Sequence, residues 1–200
     1  MGLVVFAEGL KMDPEEVKEI VEWPSPISVF EVRSFHGLAS FYRNFIRNFS
    51  KINAPIIETI KKSKHPFKWT AKAEINFTLL KKRITKKHVL ILPDFAKPFQ
   101  VKCDAIGEAI GAVLSQDDRP VEYFSEKLND TRIKYSSYEK EFYAIVQALK
   151  KWRHYLMSRE FVSYNVSTSS APEQVETLYH YLMSREFVSY SDNHALQYIV

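Results

Sequence analysis

Two hundred residues suffice for one medium domain or two small ones, and 46% hydrophobic with 26% charged residues excludes a disordered chain. A formal net charge of +4 and a pI of about 9.0 favour anionic partners. The single cysteine, Cys103, excludes an internal disulfide and a cysteine-paired zinc site, and 5 glycines leave little for a phosphate-cradling loop.

Along the chain, Leu3, Val4, Val5 and Phe6 form a short apolar strand with no obvious mate nearby, followed by a turn at Glu8 and Gly9. Asp13 then caps a helix with Pro14 at its first position and Glu16 completing a box-like arrangement, and Pro24 stops it. Ser28 and Glu31 make a second capping box, opening a helix in which Val32, Phe35, Leu38, Ala39, Tyr42, Phe45 and Ile46 recur at helical spacing. Pro55 begins a third, short helix, and Thr70 caps a fourth reaching about Thr85. The result is a compact helical unit. Between Arg43 and Lys87 it holds 13 Lys/Arg against 2 acids, Glu58 and Glu74. Such a run suits either a solvated face or the electrostatic footprint of a phosphate backbone. Arg43, Arg47, Lys51, Lys61, Lys62, Lys81, Lys82 and Arg83 are its candidate nucleic-acid contacts.

The pattern changes after Pro93. Residues 99–104 alternate as a strand, 109–116 and 121–124 suit two more, and Asp117 with Asp118 makes a hairpin turn. Ser136 or Ser137 leads into a long helix with Phe142, Ile145, Val146, Leu149, Trp152 and Leu156 on its apolar side. A strand, a polar stretch at 192–194 and a helical pattern close an α/β unit, so the whole chain reads as α+β. The segment HYLMSREFVSY at 154–164 returns unchanged at 180–190, an offset of 26 residues. Two copies fall short of a solenoid and indicate local duplication. No apolar run approaches a membrane span and the opening is too short for a signal peptide. An intracellular location, cytoplasmic or nuclear, is the expectation.

Three acids occupy informative places: Asp104 at the end of the first strand of this unit, Glu141 one turn into the long helix, and Asp192 at the end of the last strand. An acid at a strand end is ordinarily a solvated turn residue. Carboxylates that converge from strand ends and a facing helix are instead the donors Mg2+ requires, and two such ions would stabilise the attacking and leaving oxygens of phosphodiester cleavage.

Longer motifs bear on the choice. EVRSFHGLASFYR at 31–43, FKWT at 67–70 and LILPDF at 90–95 resemble the segment after the polymerase palm in gypsy-type retrotransposon reverse transcriptases. Asp104 with Ala105, then IGAVLSQ at 110–116, YFSEKL at 123–128, YSSYEKE at 135–141 and YSD at 190–192 resemble the ribonuclease H part of the same Pol polyproteins, in the same order. The resemblance implies residues 1–12 as a remnant of the palm, 13–92 as a helical thumb and connection, and 93–200 as a C-terminally truncated ribonuclease H-like domain of mixed sheet with flanking helices. It further implies two Mg2+ ions held by Asp104, Glu141 and Asp192, with an RNA–DNA hybrid or other duplex as partner. Glu141 is chosen over Glu139 because it directly precedes the apolar stretch.

Departures from the pattern shape the expectation. The polymerase palm is missing, so DNA synthesis is not expected, and the chain ends before a fourth acid. Ile106 and Ala109 stand where a small hydroxyl residue and a glycine are usual. The duplication lies between Glu141 and Asp192, 51 residues apart; without one 26-residue unit 25 would remain. Either copy fits beside the first strand of the unit, only the second leads into Asp192, and the two are expected to compete for one place. The expectation divides between a ribonuclease H-type nuclease fragment and a non-catalytic remnant that binds nucleic acid.

Overall fold

The structure, a computed structural model, describes residues 2–61, 66–86, 89–156, 161–165 and 188–191. It divides into two compact units, Met1–Leu92 with Tyr123–Lys127, and Pro93–Glu122 with Leu128–Val200.

The first unit opens on strands β1 (Leu3–Phe6) and β2 (Gly9–Met12), paired antiparallel with Leu3 opposite Met12 and Phe6 opposite Gly9. The expected lone strand therefore has its mate immediately downstream. Gly9 takes a φ of 137°, and the adjoining Leu10 exchanges backbone hydrogen bonds with Leu90, at 2.7 and 3.1 Å.

Helix α1 (Pro14–Glu22) starts as its sequence dictates: the Asp13 carboxylate accepts from the Glu15 N–H at 2.9 Å, and Pro14 sits where an N–H would lack a partner. Glu16 does not close the expected box. Its carboxylate instead accepts from the hydroxyl of buried Tyr42 at 2.6 Å, because that phenol needs a partner away from water. Helix α2 (Val29–Phe41) is capped by Ser28, which accepts from the Glu31 N–H, while Glu31 reaches back to the Ile27 N–H. The helix ends earlier than the apolar spacing suggests. A 3-10 turn at Arg43–Phe45 and Asn48 in the left-handed region (φ 59°) redirect the chain while Tyr42, Phe45 and Ile46 stay buried. Asparagine is among the few side chains that tolerate that conformation.

Helix α3 (Phe49–Lys61) begins six residues before Pro55, which lies inside it. The rule placing proline at a helix start fails here because Phe49, Ile52, Pro55 and Ile56 are all buried. Burying such side chains contributes about 1.5–3 kcal/mol each, enough together to offset the hydrogen bond proline cannot donate. Helix α4 (Ala71–Thr85) starts at Thr70, which accepts from the Ala73 N–H at 3.1 Å. Phe35 and Phe77 meet at 4.6 Å between ring centroids in the core that all four helices share.

The second unit holds a sheet in the order β5-β4-β3-β6-β7, with β3 (Phe99–Ile106), β4 (Ala109–Gln116), β5 (Arg119–Lys127, of which Tyr123–Lys127 belong to the first unit), β6 (Phe161–Asn165) and β7 (Val188–Ser191). β3 pairs antiparallel with β4, with Asp104 opposite Gly111, and Asp117 and Asp118 turn the chain into β5 with φ values of 50° and 57°. Two successive positive φ angles match the right-handed twist of a two-residue hairpin, and aspartate adopts them more readily than most residues. A short helix α5 (Asp130–Ile133) precedes α6 (Ser137–Lys151), where Ser136 and Glu139 form a complete capping box. The expected single long helix breaks at Trp152, and α7 (Arg153–Leu156) follows. Helix α6 packs across β3 and β4, burying Ala144, Ile145, Ala148 and Leu149. Fully buried Trp152 donates its indole N–H to Glu122 at 3.0 Å, and Lys151 pairs with the other oxygen of that carboxylate at 3.2 Å.

The repeated segment supplies both remaining strands. β6, from the first copy, lies parallel to β3 with Phe99 opposite Phe161 and Cys103 opposite Asn165. β7, from the second, lies parallel to β6 with Val162 opposite Val188 and Tyr164 opposite Tyr190. The sheet takes both copies, and the place beside β3 goes to the first.

Candidate nucleic-acid interface and acidic site

In the helical unit the basic residues divide by environment. Arg43 opens the 3-10 turn and Arg47 follows it, Lys51 and Lys61 lie near the two ends of α3, and Lys82 and Arg83 sit in the last turn of α4. Arg43, Arg47, Lys51, Lys61 and Lys82 are exposed and Arg83 is half-buried. Among the described residues no acid forms an ion pair with Arg47, Lys51 or Lys82. Cations at a helix C-terminus also complement its dipole, as Lys82 and Arg83 do at the end of α4.

One member of the expected set takes a different environment. Lys81 is turned inward: it donates to the Trp23 carbonyl and lies 4.3 Å from the Phe77 ring centroid. That hydrogen bond ties α4 to the end of α1, and burial lowers the pKa of this half-buried amine. Lys62 lies outside the described residues. Arg43 donates to the Ser125 carbonyl at 2.8 Å while remaining exposed.

A second surface feature escapes a search for basic runs. Arg33, Gly37 and Phe41 stand four residues apart on the exposed face of α2, and a Cβ at Gly37 would meet nothing within 4 Å. Phe41 is 43% exposed. A mid-helix glycine destabilises by about 0.5–1 kcal/mol relative to alanine, so one that no protein neighbour requires is a signal in the sequence itself. Beneath this face, His36 accepts from the Asn53 amide at 2.8 Å, and burial holds its pKa below the ordinary imidazole value.

In the second unit the sheet positions the acids. Asp104 lies on β3 beside buried Cys103, whose thiol burial pushes up to about 12 with a smaller contribution from the Asp104 charge. Glu141 lies in the second turn of α6, the helix packed on β3. Glu139 is committed elsewhere, accepting from both the N–H and the hydroxyl of Ser136 at 2.8 Å, which lowers its pKa. Asp192 lies outside the described residues. Carboxylates of β3 and α6 are the hard oxygen donors Mg2+ prefers, but the described residues contain no group of three or more His, Cys, Asp or Glu able to hold a metal. Among them, no helix is long and apolar enough to cross a membrane.

A sheet of this order with α6 packed across it defines the class. Residues 69–163 match the RNase H-like domain found in reverse transcriptase, and the fold is that of the foamy viral protease-reverse transcriptase. One such structure, in complex with RNA/DNA hybrid, aligns with a TM-score of 0.80 over 96% of this chain and 28% of that one, at 23% identity. Another, with double-stranded DNA, gives 0.78 over 95% of this chain and 38% of that one, at 22% identity.

The chain belongs to the gypsy-type retrotransposon Pol family. It is 41% identical over 162 residues to the retrovirus-related Pol polyprotein of Drosophila melanogaster transposon 297, covering 81% of this chain and 15% of that one. The corresponding polyprotein of transposon gypsy is 40% identical, over 86% of this chain and 18% of its own length. The chain thus spans less than a fifth of these curated relatives.

Proposed function

We propose that this chain binds duplex nucleic acid, an RNA–DNA hybrid above all, through its helical unit. The exposed cations around the 3-10 turn, along α3 and at the end of α4, together with the Arg33–Gly37–Phe41 face of α2, carry this reading. Cations answer a phosphate backbone by releasing its counterions, a bare glycine lets another backbone approach closely, and an exposed ring offers apolar contact to sugars and bases. The relatives' Pol identity and the fold of a reverse transcriptase solved with RNA/DNA hybrid support the choice of partner. The test is binding of a labelled hybrid at rising salt. The logarithm of affinity should fall with a slope of about −0.9 per phosphate neutralised, whereas a flat response removes the electrostatic basis.

A second reading concerns the ribonuclease H-like unit, and the placement of Asp104 and Glu141 on packed elements favours it. Asp104, Glu141 and Asp192 would hold two Mg2+ ions in the hydrolysis of the RNA strand. When bound, the metal supplies charge for the attacking and leaving oxygens. The three carboxylates hold that charge in place, and no side chain forms a covalent intermediate. Cleavage of a labelled hybrid that needs Mg2+ and disappears with Asp104→Asn is the expected outcome; cleavage that survives the substitution would assign the activity elsewhere.

A further inference from the structure

The repeated segment occupies two neighbouring strands in one register. Residues 26 positions apart face each other across β6 and β7, Val162 with Val188, Ser163 with Ser189 and Tyr164 with Tyr190, so the segment pairs with its own copy. The first copy alone adjoins β3. Residues 161–164 and 187–190 have the same sequence, so these four side chains give neither copy an advantage beside β3. Connection length does: four residues separate α7 from β6, while 31 separate α7 from β7. Closing the longer connection costs more entropy.

What distinguishes the copies follows Tyr164 and Tyr190. The first continues into Asn165 and Val166, the second into Ser191 and Asp192. The register on β3 sets Lys102 opposite Tyr164 and Cys103 opposite Asn165, so the next position on β3 is Asp104. A second copy in the place of β6 would bring Ser191 opposite Cys103 and Asp192 opposite Asp104. With β6 in that place, β7 begins one strand further out.

We propose that the first copy acts as an internal strand block: by filling the place beside β3 it denies that place to the second copy, the only copy whose sequence leads into Asp192. The functional consequence rests on the metal reading of these acids given above; the strand placement does not.

Disulfide trapping in the full chain tests the placement, in a Cys103→Ala background. Directly opposed residues on neighbouring strands fall within the Cα separation of about 4.4–6.8 Å that a disulfide needs, and residues two strands apart, roughly 9–10 Å, do not. Lys102→Cys with Tyr164→Cys should form a disulfide, and Lys102→Cys with Tyr190→Cys should stay reduced. Gln100→Cys with Val162→Cys or Val188→Cys repeats the comparison should either Tyr replacement impair folding. Trapping of the second copy in preference to the first would overturn the proposal.

Deleting residues 165–190 joins Tyr164 to Ser191, and the shortened chain should gain a Mg2+-dependent rise in unfolding temperature that the full chain lacks. An equal Mg2+ response from both chains would overturn the block. First-copy trapping with no response from either chain would uphold the block and overturn the metal reading instead.

Discussion

His36 and Gly37 are neighbours on α2 with opposite burdens. His36 faces inward and accepts from Asn53, with burial, more than the nearby Arg43 charge, lowering its pKa. In the unfolded chain the imidazole protonates near 6.5, so on acidification the unfolded state takes up the proton first. The stability His36 contributes is therefore complete above pH 6.5 and declines as pH falls below it towards the lower, folded value. His36→Gln should flatten this decline in denaturant titrations between about pH 5 and 7; an unchanged slope would show that the imidazole is not the responsible group. Gly37→Ala should raise stability by about 0.5–1 kcal/mol, since helix propensity favours alanine and the new methyl meets open space. The same substitution should weaken hybrid binding. Separate thermal and anisotropy measurements would show the two effects with opposite sign, and binding that strengthens along with stability would remove Gly37 from the interface.

At the scale of elements, local chemistry was legible wherever one side chain meets one backbone group. Thr70, Ser28 and Ser136 cap the helices their sequences announce, and Asp117 with Asp118 makes the expected turn. Failures occurred where burial overrode a local rule: Pro55 inside α3, Glu16 drawn to Tyr42, and Lys81 drawn to Trp23. The mate of β1 was also missed, because the signal for it is a bare backbone position and not a side chain. At Gly9 a Cβ would lie 2.1 Å from the Leu90 carbonyl oxygen, and φ is 137°. Gly9→Ala should therefore cost about 2 kcal/mol or more through backbone strain and loss of the Leu10–Leu90 bridge. Chemical denaturation measures this directly, and a cost near zero would mean β2 does not dock on Leu90.

At the scale of the whole molecule, motif order led to the Pol family and to a ribonuclease H-like unit, both of which the comparisons support. The duplication was legible as a repeat, yet its effect on the sheet was not, since identical strands carry no sequence signal for which comes first. Register and connection length decide that, and both belong to the folded chain. The basic run was equally plain, but only the fold separates the exposed Arg47, Lys51 and Lys82 from the inward Lys81.

Hybrid binding through those exposed cations makes affinity fall with salt in proportion to the phosphates they neutralise. Measured by anisotropy for the chain and for a variant carrying Arg47→Gln, Lys51→Gln and Lys82→Gln, the slope of log affinity against log salt should become shallower by about 2–3 in the variant. Lys81→Gln should leave the slope unchanged. Equal slopes for the chain and the triple variant would mean that these cations do not touch the phosphate backbone.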